Sequence, residues 1–254
     1  VRRRTAAAVF AGLMPMAASA PGAPAPSIDT STTLEFSTTH EANTPMHRYA
    51  SQYLARLCTE NGLRCHLANL PARRSEAQLS TGTLDGELGR VRAFAHKHPE
   101  FVLVDPAFVT LHTYVFTPAG KPEIGSWAEL GKLAGSVAYK RGVFIYQQRL
   151  EAMRPSVQAH DVQDVAACLQ MVLTGRDLAC VIDDGNMGDS LRPLLAQGHL
   201  SQPLEELELH IVMHRSRAAL AAVLSASASR WHAHGIDRQL RRDYFEAHWA
   251  LAQH

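Results

Sequence analysis

The sequence carries almost no excess charge of either sign. Lys and Arg number 25 against 24 Asp and Glu, a formal net charge of +1. A chain so balanced lacks the electrostatic footprint of a nucleic-acid binder or a protein held on an anionic membrane, and neither partner is expected. Common catalytic patterns are also missing: there is no G-x-S-x-G elbow and no P-loop. The four cysteines stand at 58, 65, 168 and 180, and no pair has C-x-x-C spacing. The 14 histidines cluster tightly only in "HKH" (96–98) and "HAH" (232–234), with no third ligand at metal-binding spacing. These absences lead us to expect no metal, no cofactor and no enzymatic activity. Past the amino terminus, no apolar run approaches the roughly 20 residues of a membrane span.

Residues 1–25 are set apart. "VRRRT" is a basic stretch, "AAAVFAGLMPMAA" an apolar one, and "ASA" at Ala18–Ala20 a small-residue cleavage pattern. Together they read as a secretory signal peptide, with cleavage after Ala20, Ala23 or Ala25, and the mature protein is expected to be exported and periplasmic. Losing the three Arg of the first 20 residues leaves 22 basic against 24 acidic side chains. In an oxidising compartment an even cysteine count suggests disulfides. Cys58 with Cys65, and Cys168 with Cys180, would each tie a helix to the strand after it. The chain-entropy model gives about 2.5 and about 2.9 kcal/mol for such loops. Four buried thiols acting as small hydrophobes are the alternative.

The rest of the chain alternates between strand and helix signals. Thr33–Thr39 reads as a strand. Thr44 and Pro45 look like an N-cap and N1 proline, with Met46, Tyr49, Tyr53, Leu54 and Leu57 at helical spacing. "RCHLANL", "FVLVD", "TLHTYVFT", "GSVAYK", "SVQAHD", "LACVID" and "LEELELHIVMH" read as further strands. Helices fit 75–80, 144–153, 187–197, 216–234 and 237–252; Ser126 and Glu129 form a capping box, and Asp161 is expected to cap a helix through Leu173. Alternation of this kind predicts an α/β fold of mostly parallel sheets with helices on both faces. The β-α units are too many for one tidy sheet, so two lobes are expected, 28–117 plus 208–254 and 118–207, joined by two hinge crossings.

The stretches "LSTGTLDGELGRV", "FVLVDP", "TYVFTPAG", "SWAELGKLAGSVAYKRG" and "LACVID" occur in that order. With these, the chain resembles the periplasmic solute-binding proteins of ABC transporters, amino-acid type (solute-binding family 3, type 2 periplasmic-binding fold). The resemblance implies closure of two lobes on a small polar solute, an amino acid or related organic acid, for uptake or sensing. It also implies a membrane permease or sensor protein as partner and a monomeric chain. It suggests Arg90 or Arg74 for a ligand carboxylate and Asp183 for its ammonium. Tyr139 and Arg141 lie in a strand-to-helix turn suited to an anion, Glu41 follows the first strand, and Tyr114 lies near a crossing. Arg90 stands closer to Asp85 than the family's usual carboxylate-binding Arg does. In "LSTGTLDGELGRV", Gly82 would end a helix, Leu84 would form a minimal buried strand, and Asp85 and Gly86 would turn at the carboxyl end of the sheet, where ligands of open α/β folds collect. Two other functions fit the same fold: a sensor or protein-partner-binding member, and an enzyme like the cyclohexadienyl dehydratases.

Overall fold

Thr44 starts the first helix, α1 (Pro45–Glu60), as its sequence predicts: its hydroxyl accepts the His47 N–H at 3.2 Å, with Pro45 at the first helical position. Met46, Tyr49, Tyr53, Leu54 and Leu57 face inward from it and are buried. Each such side chain stabilises by about 1.5–3 kcal/mol when fully buried. The structure, a computed structural model, describes residues 32–42 and 44–246; the expected signal peptide lies outside them, as does the end of the last expected helix.

The described strands are β1 (Thr33–Thr38), β2 (Arg64–Asn69), β3 (Gly86–Val91), β4 (Phe101–Pro118), β5 (Gly135–Lys140), β6 (Val157–Val162), β7 (Ala179–Asp183), β8 (Gly198–Leu200) and β9 (Glu205–His214). Between and after them run α2 (Ala72–Ser80), α3 (Arg92–Lys97), α4 (Trp127–Leu130), α5 (Phe144–Glu151), α6 (Val165–Leu173), α7 (Arg192–Leu195), α8 (Ala218–His234) and α9 (Ile236–Arg241). The strands join in the order β2-β1-β3-β9-β4-β7-β5-β6, with β8 beside β4. β2, β1 and β3 are mutually parallel, as are β6, β5 and β7; β9 and β4 run antiparallel between these groups. The fold is therefore mixed α/β, two parallel strand groups connected through two long central strands.

β4 and β9 make the connection. Phe101–Val104 pair with Ile211–His214, and Val109–Thr113 pair with Glu205–Leu209, with a register shift between. Farther along β4, Thr113–Phe116 pair with β7. The sequence predicts two strands here; the structure continues one through the irregular stretch 105–108, because β9 supplies a partner on both sides of it. Three further expectations are corrected. Asp161 caps no helix: it pairs with Tyr139 in the β5–β6 ladder, and Asp164 caps α6 by accepting the Ala167 N–H at 2.8 Å. The helix expected over 187–197 is a short 3-10 turn and the four residues of α7, leading into β8. The minimal strand expected at Leu84 is a turn, with β3 starting at Gly86. The Ser126 cap does form, accepting the Glu129 N–H at 3.2 Å, and Glu129 returns an acceptor to Gly125 N at 2.8 Å.

Both disulfides are formed as expected. Cys58 of α1 bonds to Cys65 of β2, and Cys168 of α6 to Cys180 of β7, with Cα separations of 6.2 and 5.7 Å. No helix among the described residues is long and apolar enough to cross a membrane.

Candidate functional site

The carboxyl ends of β1 and β3 meet the end of β7 and the turn after β5. Between them lies a cavity of about 50 Å³. It is lined by Thr39, His40, Gly89, Arg90 and Val91 from the β1 and β3 side, and by Gly142–Ile145 and Asp183 from the β5 and β7 side. Leu111 of β4 and Leu207 and Leu209 of β9 complete the wall with Phe94 of α3. Small-molecule pockets run to roughly 300–1,000 Å³, so a solute fits between these two sides only once they move apart from this arrangement. The two sides are in contact around it. A Cβ on Gly142 would lie 2.4 Å from the Ala72 Cβ, so only glycine lets this turn rest on the start of α2.

A buried polar network crosses the contact. Lys140, the last residue of β5, places its ammonium 3.1 Å from Asn186 Oδ1 on its own side. On the other side it reaches Thr39 O at 3.3 Å and Glu41 Oε1 at 3.0 Å. Asp183 Oδ1 accepts the Asn186 backbone N–H at 3.2 Å and its side-chain amide at 2.9 Å; Oδ2 accepts the Tyr146 hydroxyl at 3.3 Å. Desolvation, reinforced by neighbouring Asp184, raises the Asp183 carboxyl to about 6, against the pull of Lys140. His40 moves the opposite way: burial first and Lys140 second lower it to about 3. Its Nδ1 has no hydrogen-bond partner among the described residues.

Arg90 enters through a backbone irregularity. The β3–β9 register shifts between Leu88 and Arg90, and Gly89 there has φ +107°. A Cβ at Gly89 would strain that conformation and stand 3.1 Å from the His40 ring. The Arg90 guanidinium lies over the Phe94 ring, 4.4 Å from its centre. Its Nε is 2.9 Å from Oε1 of fully buried Glu87, close enough to pair but without hydrogen-bond alignment. Burial pushes the Glu87 carboxyl up, and Arg90 opposes that shift. The Arg90 Nη2 also has no hydrogen-bond partner among the described residues.

Of the residues singled out from sequence, Arg90 and Asp183 line the cavity, and Glu41 adjoins it through Lys140. The other four are not among its lining residues. Arg74 is exposed on α2. Tyr114 packs with Phe116 and Ile182 in the core on the β7 side, where burial pushes its hydroxyl up to about 12. Tyr139 is buried in β5, and Arg141 pairs with Asp161 in solvent. Sequence reasoning missed His40, Glu87, Lys140, Tyr146 and Asn186. A signal for Lys140 existed: successive strand residues face opposite ways, so Lys140 and Arg141 part at the end of β5. "LSTGTLDGELGRV" divides in the same manner. Gly89–Val91 line the cavity. Asp85 lies at the amino end of β3, taking the Glu35 N–H at 2.8 Å and pairing with Arg217 at 2.7 Å.

No family model matches the chain. An uncharacterized protein of Shewanella oneidensis is 22% identical over 193 residues, 74% of this chain and 73% of that one. The solved structures it is similar to include an arginine third transport system periplasmic binding protein from Legionella pneumophila. That match has TM-score 0.68 and 14% identity over 85% of this chain and 100% of the other. An ancestral arginine-binding protein bound to arginine superimposes at TM-score 0.69 and 14% identity, over 85% of this chain and 99% of that one. The chain has the two-lobed fold of periplasmic binding proteins. A third structure of this fold is the ancestral amino acid-binding protein AncCDT-1, a precursor of cyclohexadienyl dehydratase. It matches at TM-score 0.67 and 16% identity, over 84% of this chain and 95% of that one.

Proposed function

We propose that the chain is an exported, monomeric solute-binding protein. Its lobes close on a small polar solute, an amino acid or a related organic acid, for delivery to a membrane permease or for sensing. The observation that carries this reading is the cavity itself. Residues from both strand groups converge on it, and Arg90 and Asp183 face it from opposite sides. The lobes would be 28–117 with 208–254, and 118–207, hinged at β4 and β9. On this reading the structure is a closed form, and the solute enters when Lys140 and Gly142 draw back from Thr39, Glu41 and Ala72. Binding would then shift the population toward closure.

A thermal-shift screen against amino acids, small organic acids, amines and oligopeptides tests it. A solute at 100 times its Kd stabilises by about 2.7 kcal/mol, roughly 5–11 °C at this size. A saturable shift with one solute class is expected; silence across the whole panel counts against the reading. One observation favours a second reading, an enzyme acting on a cyclohexadienyl acid: the Asp183 carboxyl lines the cavity, and its burial favours the protonated form that a general acid needs. Consumption of prephenate by the purified chain would establish it.

A further inference from the structure

We infer that the solute is a carboxylate with an apolar body and no ammonium group. This deepens the solute-binding reading and rests on it. Two groups at the cavity are buried and incompletely satisfied: Arg90, 5% exposed, through Nη2, and His40, 7% exposed, through Nδ1. A buried guanidinium nitrogen without an acceptor is a costly arrangement that an entering carboxylate relieves. The neutral His40 ring, in the tautomer that carries its hydrogen on Nδ1, would add a second donor to the same anion.

An ammonium finds a more crowded partner. Among the described residues Asp183 is the one carboxylate lining the cavity, and three of its roughly four acceptor positions are filled, two by Asn186 and one by Tyr146. The carbonyl and carboxylate oxygens nearby are taken by an ammonium the chain itself supplies, Lys140 against Thr39, Glu41 and Asn186. The remaining wall offers Phe94, Leu111, Phe144 and Leu209, surfaces that suit an apolar body.

Paired ligands isolate the ammonium. Pyruvate and L-alanine, 4-methyl-2-oxopentanoate and L-leucine, and phenylpyruvate and L-phenylalanine share a carboxylate and a side chain; only the carbonyl or ammonium at C2 differs. In calorimetric titrations of the whole chain, at least one oxo acid is expected to bind tenfold or more tightly than its amino acid. Arg90→Gln combined with Glu87→Gln, which leaves no unpaired buried charge, is expected to weaken that binding at least tenfold. Should that variant fail to fold, His40→Gln serves with the same expected direction. An amino acid that binds as tightly as its oxo acid overturns the ligand class and leaves the solute-binding reading standing. So does binding of a different solute class when all six probes are silent. Oxo-acid binding unchanged in the folded variant also overturns the inference. If the six probes and the wider screen are all silent, both readings fall.

Discussion

Asp183 and His40 share one buried network, and burial moves them in opposite directions on the pH scale. His40 falls from 6.5 to about 3, so the unfolded chain accepts a proton that the native chain refuses. Its stabilisation is full above pH 6.5 and is lost as the pH falls from there toward 3. Asp183 rises from 3.8 to about 6, so its contribution is full below pH 3.8 and is lost as the pH rises through 6. The charged neighbours are Lys140, Arg90 and His47 for His40, and Asp184 and Lys140 for Asp183. Between about pH 4 and 6 the two effects oppose each other, so single variants are needed to see them. Relative to the parent, the Tm of His40→Gln is expected to improve as pH falls from 6.5 to 4. That of Asp183→Asn is expected to improve as pH rises from 4 to 7. Tm differences that stay flat across the range would contradict both assignments. Asp183 was singled out through the family resemblance, by its place at the end of "LACVID". His40 carried no such signal, since only the approach of Gly89 and Lys140 encloses it.

At the level of elements, the disulfides were legible because compartment and spacing constrain them, and each does bind a helix to the strand after it. They differ in shelter. Cys168 and Cys180 are wholly buried, whereas Cys65 is partly exposed. Mild reductant followed by alkylation and mass mapping should label Cys58 and Cys65 first; equal labelling of all four would contradict that order. Replacing Cys58 and Cys65 together with Ser is expected to cost about 2.5 kcal/mol, a Tm loss of roughly 5–10 °C in thermal denaturation. Strand β4 was less legible. Pro106 and the irregular stretch around it read locally as a break, and only pairing with β9 on both sides makes one strand of it. Asp161 misleads for a related reason. Helical spacing suits the residues after it, but the β5 ladder continues to Val162 and holds that segment extended.

For the whole molecule, the decisive contact joins three positions far apart in sequence: Lys140, the Thr39–Glu41 turn and Asn186. On the proposed reading it acts as a latch across the closed cleft. Hydrogen bonds from a charged group are worth about 1.5–3 kcal/mol, enough to shift an open–closed equilibrium tenfold or more. Lys140→Met is therefore expected to populate the open form without solute, seen as a larger radius of gyration in small-angle scattering. An unchanged radius would remove Lys140 from that role.

The sequence by itself determined the alternation of strands and helices, the α1 and α4 caps and the cysteine pairs. Each depends on spacing or on neighbours a few residues away. The tertiary structure decided which end of β3 meets the cavity and that Lys140 rather than Arg141 turns inward. It also decided that Glu87 neutralises Arg90 from beneath. Those outcomes depend on strand order and on the Gly89 irregularity, which bring together residues far apart along the chain, and no local pattern encodes such meetings.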